Sequence, residues 1–584
     1  KNGKTKIMKK GKRKVRKNLK IGRTRSAFPT RFLICGILIV LQVLITIGLV
    51  SVLGDTFIYA QTFQTIFSVL VLMYVLNDDE PAAHKLTWTV VIMLIPLAGA
   101  LIYCMFGKPQ QSRRAKKRFE QVNNEAALYL TPDPDVLDEM KRVSPEAFSL
   151  STYLEKVCNV PAFVNTKTRY YPSGEAFFDA LIEDVKRAEN YIFLEYFIIT
   201  PGEVWNSLHD ALVERVAAGV RVFILYDDIG SMKKTPTKFD VDLRKEGIVC
   251  YKFNPFVPVA TTLHNNRDHR KIAVVDGKIA FTGGVNIADE YANVEQPFGR
   301  WKDSAVRLEG DAVDGFVFMF TQLYNIFAPE PLDPAEFLCA HEKIEDEKVS
   351  DGESFGKALE SGDGKSIDWK SVDLKSADDG SFGGKNTVER SVAEKSAVDS
   401  CGFVQPYGDG PRPMYNDYIG KDLYLGIIYS AKKYLYIATP YLIAGYETEE
   451  AIIFAAKRGV DVRIITPHIP DKAYVFAMTR ASYAKLIAAG VKIYEYAPGF
   501  IHSKIIVADD EIGVVGTVNF DYRSFVHHYE CGAFIACDPV LKTIREDFLT
   551  TALKDGILQT EQSAKLTFPQ KIVKTVIGLF APLL

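Results

Sequence analysis

His269-Arg270-Lys271-Ile272-Ala273-Val274-Val275-Asp276 recurs 233 residues later as His502-Ser503-Lys504-Ile505-Ile506-Val507-Ala508-Asp509. In both copies a glycine follows the histidine by fourteen positions, Gly283 and Gly516, and an asparagine by seventeen, Asn286 and Asn519. A lone His-x-Lys reads as a strand end with a solvated lysine. Two copies that agree at His, Lys, Asp, Gly and Asn read as the two halves of one duplicated active site.

The chemistry follows from the residue types. Side chains at i and i+2 of a strand share a face, so His269 projects with Lys271 and His502 with Lys504. The apolar runs that follow predict buried strands. Asp276-Gly277 and Asp509-Asp510 supply turn residues, so a hairpin returns Asn286 and Asn519 to the level of their histidines. Two imidazoles can divide a displacement at phosphorus: one attacks, and the other protonates the leaving alkoxide. Two lysines and two asparagines can hold the non-bridging oxygens as charge builds. This scheme needs no metal or other cofactor, and His-x-Lys lacks the ligand clustering that zinc prefers.

The repeat extends to the elements that must position these groups. Ala218-Gly219-Val220-Arg221-Val222 resembles Arg458-Gly459-Val460-Asp461-Val462, and Glu246-Gly247-Ile248-Val249 resembles Ala489-Gly490-Val491-Lys492. Each half reads helix, Gly, strand, helix, Gly, strand, then the catalytic strands, which is an α/β pattern. Downstream, Trp301-Lys302-Asp303 aligns with His528-Tyr529-Glu530. A carboxylate at Asp303 or Glu530 can hold an imidazole in one tautomer; a surface acid on a strand is the plainer reading.

These motifs resemble the phospholipase D superfamily, whose signature is His-x-Lys-x4-Asp with a later Gly and Asn, twice per site. Asn266-Arg267-Asp268-His269-Arg270-Lys271, Gly283-Gly284-Val285-Asn286, Ala438-Thr439-Pro440-Tyr441 and Gln405-Pro406-Tyr407-Gly408-Asp409-Gly410-Pro411 are similar to bacterial cardiolipin synthases. So is the apolar segment that ends in Pro96-Leu97-Ala98-Gly99-Ala100. The resemblance covers roughly residues 60–584. It implies two phospholipase D-like α/β/α sandwich halves around one active site, preceded by transmembrane helices. It also implies transfer of a phosphatidyl group from one phosphatidylglycerol to another, releasing glycerol, with His269 as nucleophile and His502 as acid. By the same resemblance Asp276 and Asp509 brace the site. Asp268 departs from the pattern, which more often has asparagine there. The alternatives are a hydrolase, transfer to another alcohol, and a phosphodiesterase acting on nucleic acid.

Charge argues against nucleic acid: 71 basic and 72 acidic side chains leave a net charge of −1, with no global basic field. That balance hides an arm, residues 1–31, with fourteen Lys or Arg and no acid. Beside apolar sequence such an arm reads as cytoplasmic and attracted to anionic lipid. Three apolar stretches follow, Phe32–Leu53, Phe57–Leu76 and Leu86–Phe106, in a membrane-anchoring region expected over 32–107 with two to three crossings. A second basic cluster, Lys108 to Arg118, follows the third. Placing both clusters in the cytoplasm needs an even number of crossings, so either one stretch is not a full span or one cluster lies outside.

Eight scattered cysteines with no paired spacing suit a reducing compartment, and the chain is expected in the bacterial cell membrane with its catalytic region cytoplasmic. The first catalytic half is expected over 108–340 and the second over 401–584. Between them, 341–400 is rich in Ser, Asp, Glu, Lys and Gly and reads as a disordered linker. The tail Lys571–Leu584 is apolar and suits either the lipid interface or packing onto the catalytic domain.

Overall fold

The computed structural model describes residues 56–108, 112–256, 265–339 and 400–565, with Val40, Leu44 and Gly578. The basic arm, nearly all of the first apolar stretch, the linker and nearly all of the tail lie outside the described residues. The described chain divides into two units, one holding 56–79 and 88–107, the other 80–87, 108, 112–256, 265–339 and 400–565.

In the first unit, α1 (Thr56–Leu76) is largely apolar, interrupted by Gln61 and Gln64, and leaves Phe63, Ile66, Leu70 and Met73 exposed. The third apolar stretch is not one helix. It breaks into α2 (Ala82–Leu94) and α3 (Pro96–Phe106). Ile95, at φ −135° and ψ 75°, leaves the helical region because the ring of Pro96 crowds the backbone before it. Neither piece reaches the ~20 residues of a membrane span. Among the described residues no helix is long and apolar enough to cross a membrane. The rings of Trp88 and Tyr103 meet edge to face at 5.2 Å.

The second unit contains two eight-stranded mixed sheets. The first runs β4 (Val249–Phe253), β3 (Arg221–Asp227), β2 (Tyr191–Tyr196), β5 (Lys271–Val275), β6 (Ile279–Gly283), β8 (Ala305–Gly310), β1 (Thr166–Tyr171) and β9 (Ser400–Cys401). The second runs β10 (Phe403–Asp409), β19 (Glu530–Ala536), β17 (Ile512–Gly516), β16 (Ile505–Ala508), β11 (Tyr434–Ala438), β13 (Asp461–Pro467), β14 (Lys492–Tyr496) and β20 (Gly556–Leu558). Read from opposite ends, the orders match strand for strand over the repeat. In each half three strands are parallel (β2, β3, β4 and β11, β13, β14) and the hairpin bearing the motif is antiparallel (β5–β6 and β16–β17). Cys401 pairs with Lys167 at the edge of the first sheet, so the chain enters the second sheet only at β10.

Alternation explains the layers. On β2, Ile192 and Leu194 pack under Leu181, Leu208 and Leu212 of the preceding and following helices, while Phe193 faces the opposite side. There its ring stacks on Phe320 of α4 (Val313–Phe327) at 4.1 Å and 11°. The helix-to-strand glycines that repeat between halves, Gly219 and Gly459, both take φ +95°, a left-handed conformation that favours glycine. The largest apolar cluster mixes the halves: Ile272, Val274 and Phe316 of the first share it with Tyr407, Ile506 and Phe534 of the second.

Candidate functional site

Each hairpin turns where the motif places its aspartate. Asp276 and Asp509 have φ of 55° and 60°, and their carboxylates accept three consecutive backbone N–H groups each. For Asp276 the donors are Glu189, Asn190 and Tyr191 at 2.7–2.9 Å; for Asp509 they are Lys432, Lys433 and Tyr434 at 2.6–2.8 Å. These aspartates thus fasten the start of β2 and of β11 to the hairpin, at the end away from the histidines. Gly283 and Gly516 end the hairpins against the next strand. A side chain at Gly283 would sit 2.4 Å from the Ser304 carbonyl oxygen, and one at Gly516 2.6 Å from that of Cys531.

The two halves exchange strands at the site. β7 (Arg300–Lys302) pairs parallel with β15 (Gly499–Ile501), and the His502 N–H donates to the Lys302 carbonyl at 2.7 Å. Likewise the His269 N–H donates to the Tyr529 carbonyl at 2.9 Å, and the Tyr529 N–H to the Arg267 carbonyl at 2.8 Å. The consequence is crossed. Nδ1 of His269 lies 2.8 and 3.0 Å from the Glu530 carboxylate of the second half, and Nδ1 of His502 lies 2.8 Å from Asp303 of the first. The Trp301 indole N–H also donates to Asp303, at 3.4 Å, and the Thr517 hydroxyl donates to Glu530. With Nδ1 committed to a carboxylate, each ring has Nε2 left for chemistry.

Lys271 and Lys504 are fully buried beside their histidines, and each ammonium donates to the histidine's own carbonyl, for Lys271 at 2.7 Å. Burial pulls Lys271 down to about 8 and Lys504 to about 7. Burial also pulls His502 down to about 4 and His269 well below its usual value, with the buried lysines adding to both effects. The carboxylates differ. Burial raises Glu530 well above the carboxylate range, whereas for Asp303 burial is outweighed by His502 and Lys504, which hold it below.

A cavity of about 580 Å³ opens over this centre and is lined by both histidines and both asparagines. Asn519 leaves its buried Oδ1 without a partner. Asn286 is engaged at both ends: it accepts from the Ile198 N–H at 3.0 Å and donates to the Tyr291 hydroxyl at 2.7 Å. The wall beside His502 is aromatic, with Trp301, Tyr291 and Phe500 rings centred 5.3–6.0 Å from the imidazole. The wall beside His269 is basic, with Arg267, Arg523 and His528. Sequence reasoning missed this third imidazole, 5.4 Å from His269 between ring centres, although it occupies the position that aligns with Trp301. Among the described residues, ligand atoms of His269, His528 and Glu530 come within 4.8 Å of one another, the one cluster of metal-binding type. The lysines and arginines around it suit an anion better than a dication.

Comparison with known proteins fits this geometry. The model of the cardiolipin synthase phospholipase D-like domain matches residues 181–296 and 424–551, and that of a phospholipase D-nuclease N-terminal segment matches 66–108. A cardiolipin synthase of Geobacillus sp. (strain WCH70) is 30% identical over 519 residues, covering 88% of this chain and 92% of that protein. The chain belongs to the cardiolipin synthase family. It is a phosphatidyltransferase of phospholipase D type. An uncharacterized protein of Streptococcus mutans is 34% identical over 512 residues, covering 88% of this chain and 99% of its own. The phosphatidylserine synthase structure of Haemophilus influenzae Rd KW20 superposes with a TM-score of 0.50 at 12% identity, covering 74% of this chain and 97% of that one, a likeness of fold.

Proposed function

We propose that the enzyme transfers a phosphatidyl group from one phosphatidylglycerol to the hydroxyl of another, forming cardiolipin and glycerol through a phosphatidyl-histidine. The observation that carries this reading is the pair of histidines, each with Nδ1 on a buried carboxylate, at the floor of one cavity with two buried lysines. Nε2 of His269 attacks phosphorus, the bond to the glycerol oxygen breaks, and that oxygen takes the Nε2 proton of His502. The incoming hydroxyl then gives its proton to His502 and attacks phosphorus, and the P–N bond breaks.

The unequal carboxylates support this division of roles. Asp303 stays ionised and opposes the burial that lowers His502, so this imidazole is the one helped to take up a proton, while Glu530, pushed up by burial, gives His269 no such help and leaves it neutral and nucleophilic. Lys271, Lys504, Asn286 and Asn519 hold the phosphate oxygens, and Asp276 and Asp509 brace the hairpins. The domain plan that goes with this reading is two halves over about 108–340 and 401–584 joined by the polar segment 341–400. The exposed apolar side chains of α1, the family's N-terminal match and the basic arm support attachment to the bacterial cell membrane with the catalytic region on the cytoplasmic side.

Purified full-length enzyme given labelled phosphatidylglycerol as sole lipid should place label in cardiolipin and release glycerol in equal amount. Label in phosphatidic acid alone would establish a hydrolase instead. His269→Ala and His502→Ala should each abolish net synthesis, because the two imidazoles act as a unit.

A further inference from the structure

The basic wall beside His269 holds groups that the displacement itself does not use. Arg267 is 3% exposed and fixed by Asp227, whose carboxylate accepts from its Nε at 2.8 and 3.1 Å and also from the Asp268 N–H at 3.0 Å. Arg523 is half-buried, lines the cavity, and donates from Nε to Nε2 of His528 at 3.2 Å. That bond leaves Nδ1 of His528, 3.6 Å from Glu530, as the protonated nitrogen of a neutral ring. Of the acids facing this wall, Asp227 holds Arg267, and Asp521 accepts from the Ser524 N–H at 2.8 Å and also attracts Arg523. Burial lowers the Arg523 guanidinium from its usual value, and Arg267 adds to that effect against Asp521. Cationic groups gathered around an open cavity are stabilised by an anion arriving between them.

We propose that Arg523, supported by Arg267 and His528, forms an acceptor subsite that binds the phosphodiester of the second phosphatidylglycerol while the first occupies the paired histidines. The inference rests on the cardiolipin-forming reading above. Its geometric basis is proximity. The His528 ring is centred 5.4 Å from that of His269, and Arg523 Nε is 3.2 Å from His528 Nε2. These two separations put the guanidinium within reach of a phosphate carried on a lipid whose hydroxyl attacks at His269, since one glycerol bridge separates an acceptor's own phosphate from its attacking hydroxyl. Water and simple alcohols carry no such phosphate. Arg523 therefore selects a lipid acceptor over a neutral one, with charge-assisted and bidentate geometry that lysine does not reproduce.

The test is a partition ratio from the shared intermediate. Full-length enzyme in mixed micelles receives labelled phosphatidylglycerol and a fixed concentration of 1-butanol, and the ratio of cardiolipin to phosphatidylbutanol is measured. Both products come from the same folded molecules, so loss of folded protein does not move the ratio. Arg523→Gln should lower it by about tenfold or more, the scale of one lost charge-assisted contact, and Arg523→Lys should fall between Gln and wild type. An unchanged ratio in Arg523→Gln, even with both products reduced together, would overturn the acceptor subsite while leaving cardiolipin formation intact. Wild-type enzyme that makes phosphatidylbutanol and no cardiolipin would overturn the functional reading itself, and the subsite with it.

Discussion

Asp268 lies one residue before the first histidine, fully buried, with Arg270, Asp227 and Glu195 as its charged neighbours. Arg270 is fully buried too, its guanidinium donating to the Tyr415 hydroxyl at 2.6 Å and the Met319 carbonyl at 2.8 Å. At the matching positions of the second half stand Ala438, Ile501 and Ser503, none of them charged. Two acids facing one arginine in a dry interior cannot both ionise at small cost, so burial raises Glu195 well above its usual range and Asp268 to about 7. The sign for stability follows. A carboxyl raised on folding is lost from the stability side as pH climbs from its unfolded value near 4 through about 7, because the unfolded chain ionises first. Asp268→Asn, which restores the residue the family more often carries, removes that loss. Its thermal midpoint relative to wild type should therefore improve between about pH 5 and about pH 8, by on the order of 2 kcal/mol in stability. Equal destabilisation at both pH values would show that the charge is held by contacts other than this cluster.

At the scale of elements, the hairpins were legible and their partnership was not. Asp-Gly and Asp-Asp between apolar runs predict β5–β6 and β16–β17 with their turns; that Gly283 and Gly516 sit where a side chain would meet the neighbouring strand is visible only in the structure. The third apolar stretch misled because composition hides the backbone effect of Pro96, which ends one helix and starts another. The crossing of Asp303 to His502 and Glu530 to His269 depends on β7 meeting β15, a pairing across 199 positions that no local pattern encodes. It makes opposite predictions for two carboxylates. With an activated phosphodiester, whose leaving group needs little protonation, Asp303→Asn should accumulate an adduct on His269, because breakdown needs a working His502. Glu530→Gln should instead slow adduct formation itself, on the order of a hundredfold, by freeing the nucleophile's tautomer. Peptide mass mapping and burst kinetics read both. The reverse pattern would mean that each carboxylate serves the histidine of its own half.

At the scale of the molecule, the halves are not separable bodies, since one apolar cluster takes residues from both and each histidine borrows its carboxylate from the other half. What joins them in sequence is a different matter. The chain leaves the first half after Phe337, whose carbonyl accepts from the Tyr191 hydroxyl at 2.5 Å. It comes back at Ser400 and Cys401 on the edge strand β1 of that same half. Both ends of the polar segment are therefore anchored to one body, and its length does not set how the halves meet. Closure entropy changes slowly with loop length, and polar, low-aromatic sequence of this kind contributes little burial. Removing 345–395 leaves nine residues between Cys339 and Ser400, able to span about 30 Å when extended. That shortened enzyme should keep its rate of lipid transfer within about twofold and its thermal midpoint within a few degrees, since the free-energy change per doubling of loop length is only about 0.6 kcal/mol. The measurement is turnover of labelled phosphatidylglycerol beside a thermal melt of the same preparation. A soluble product with an unchanged melt and no turnover would assign the segment a part in catalysis, and an aggregated one would assign it a part in holding β9 against β1.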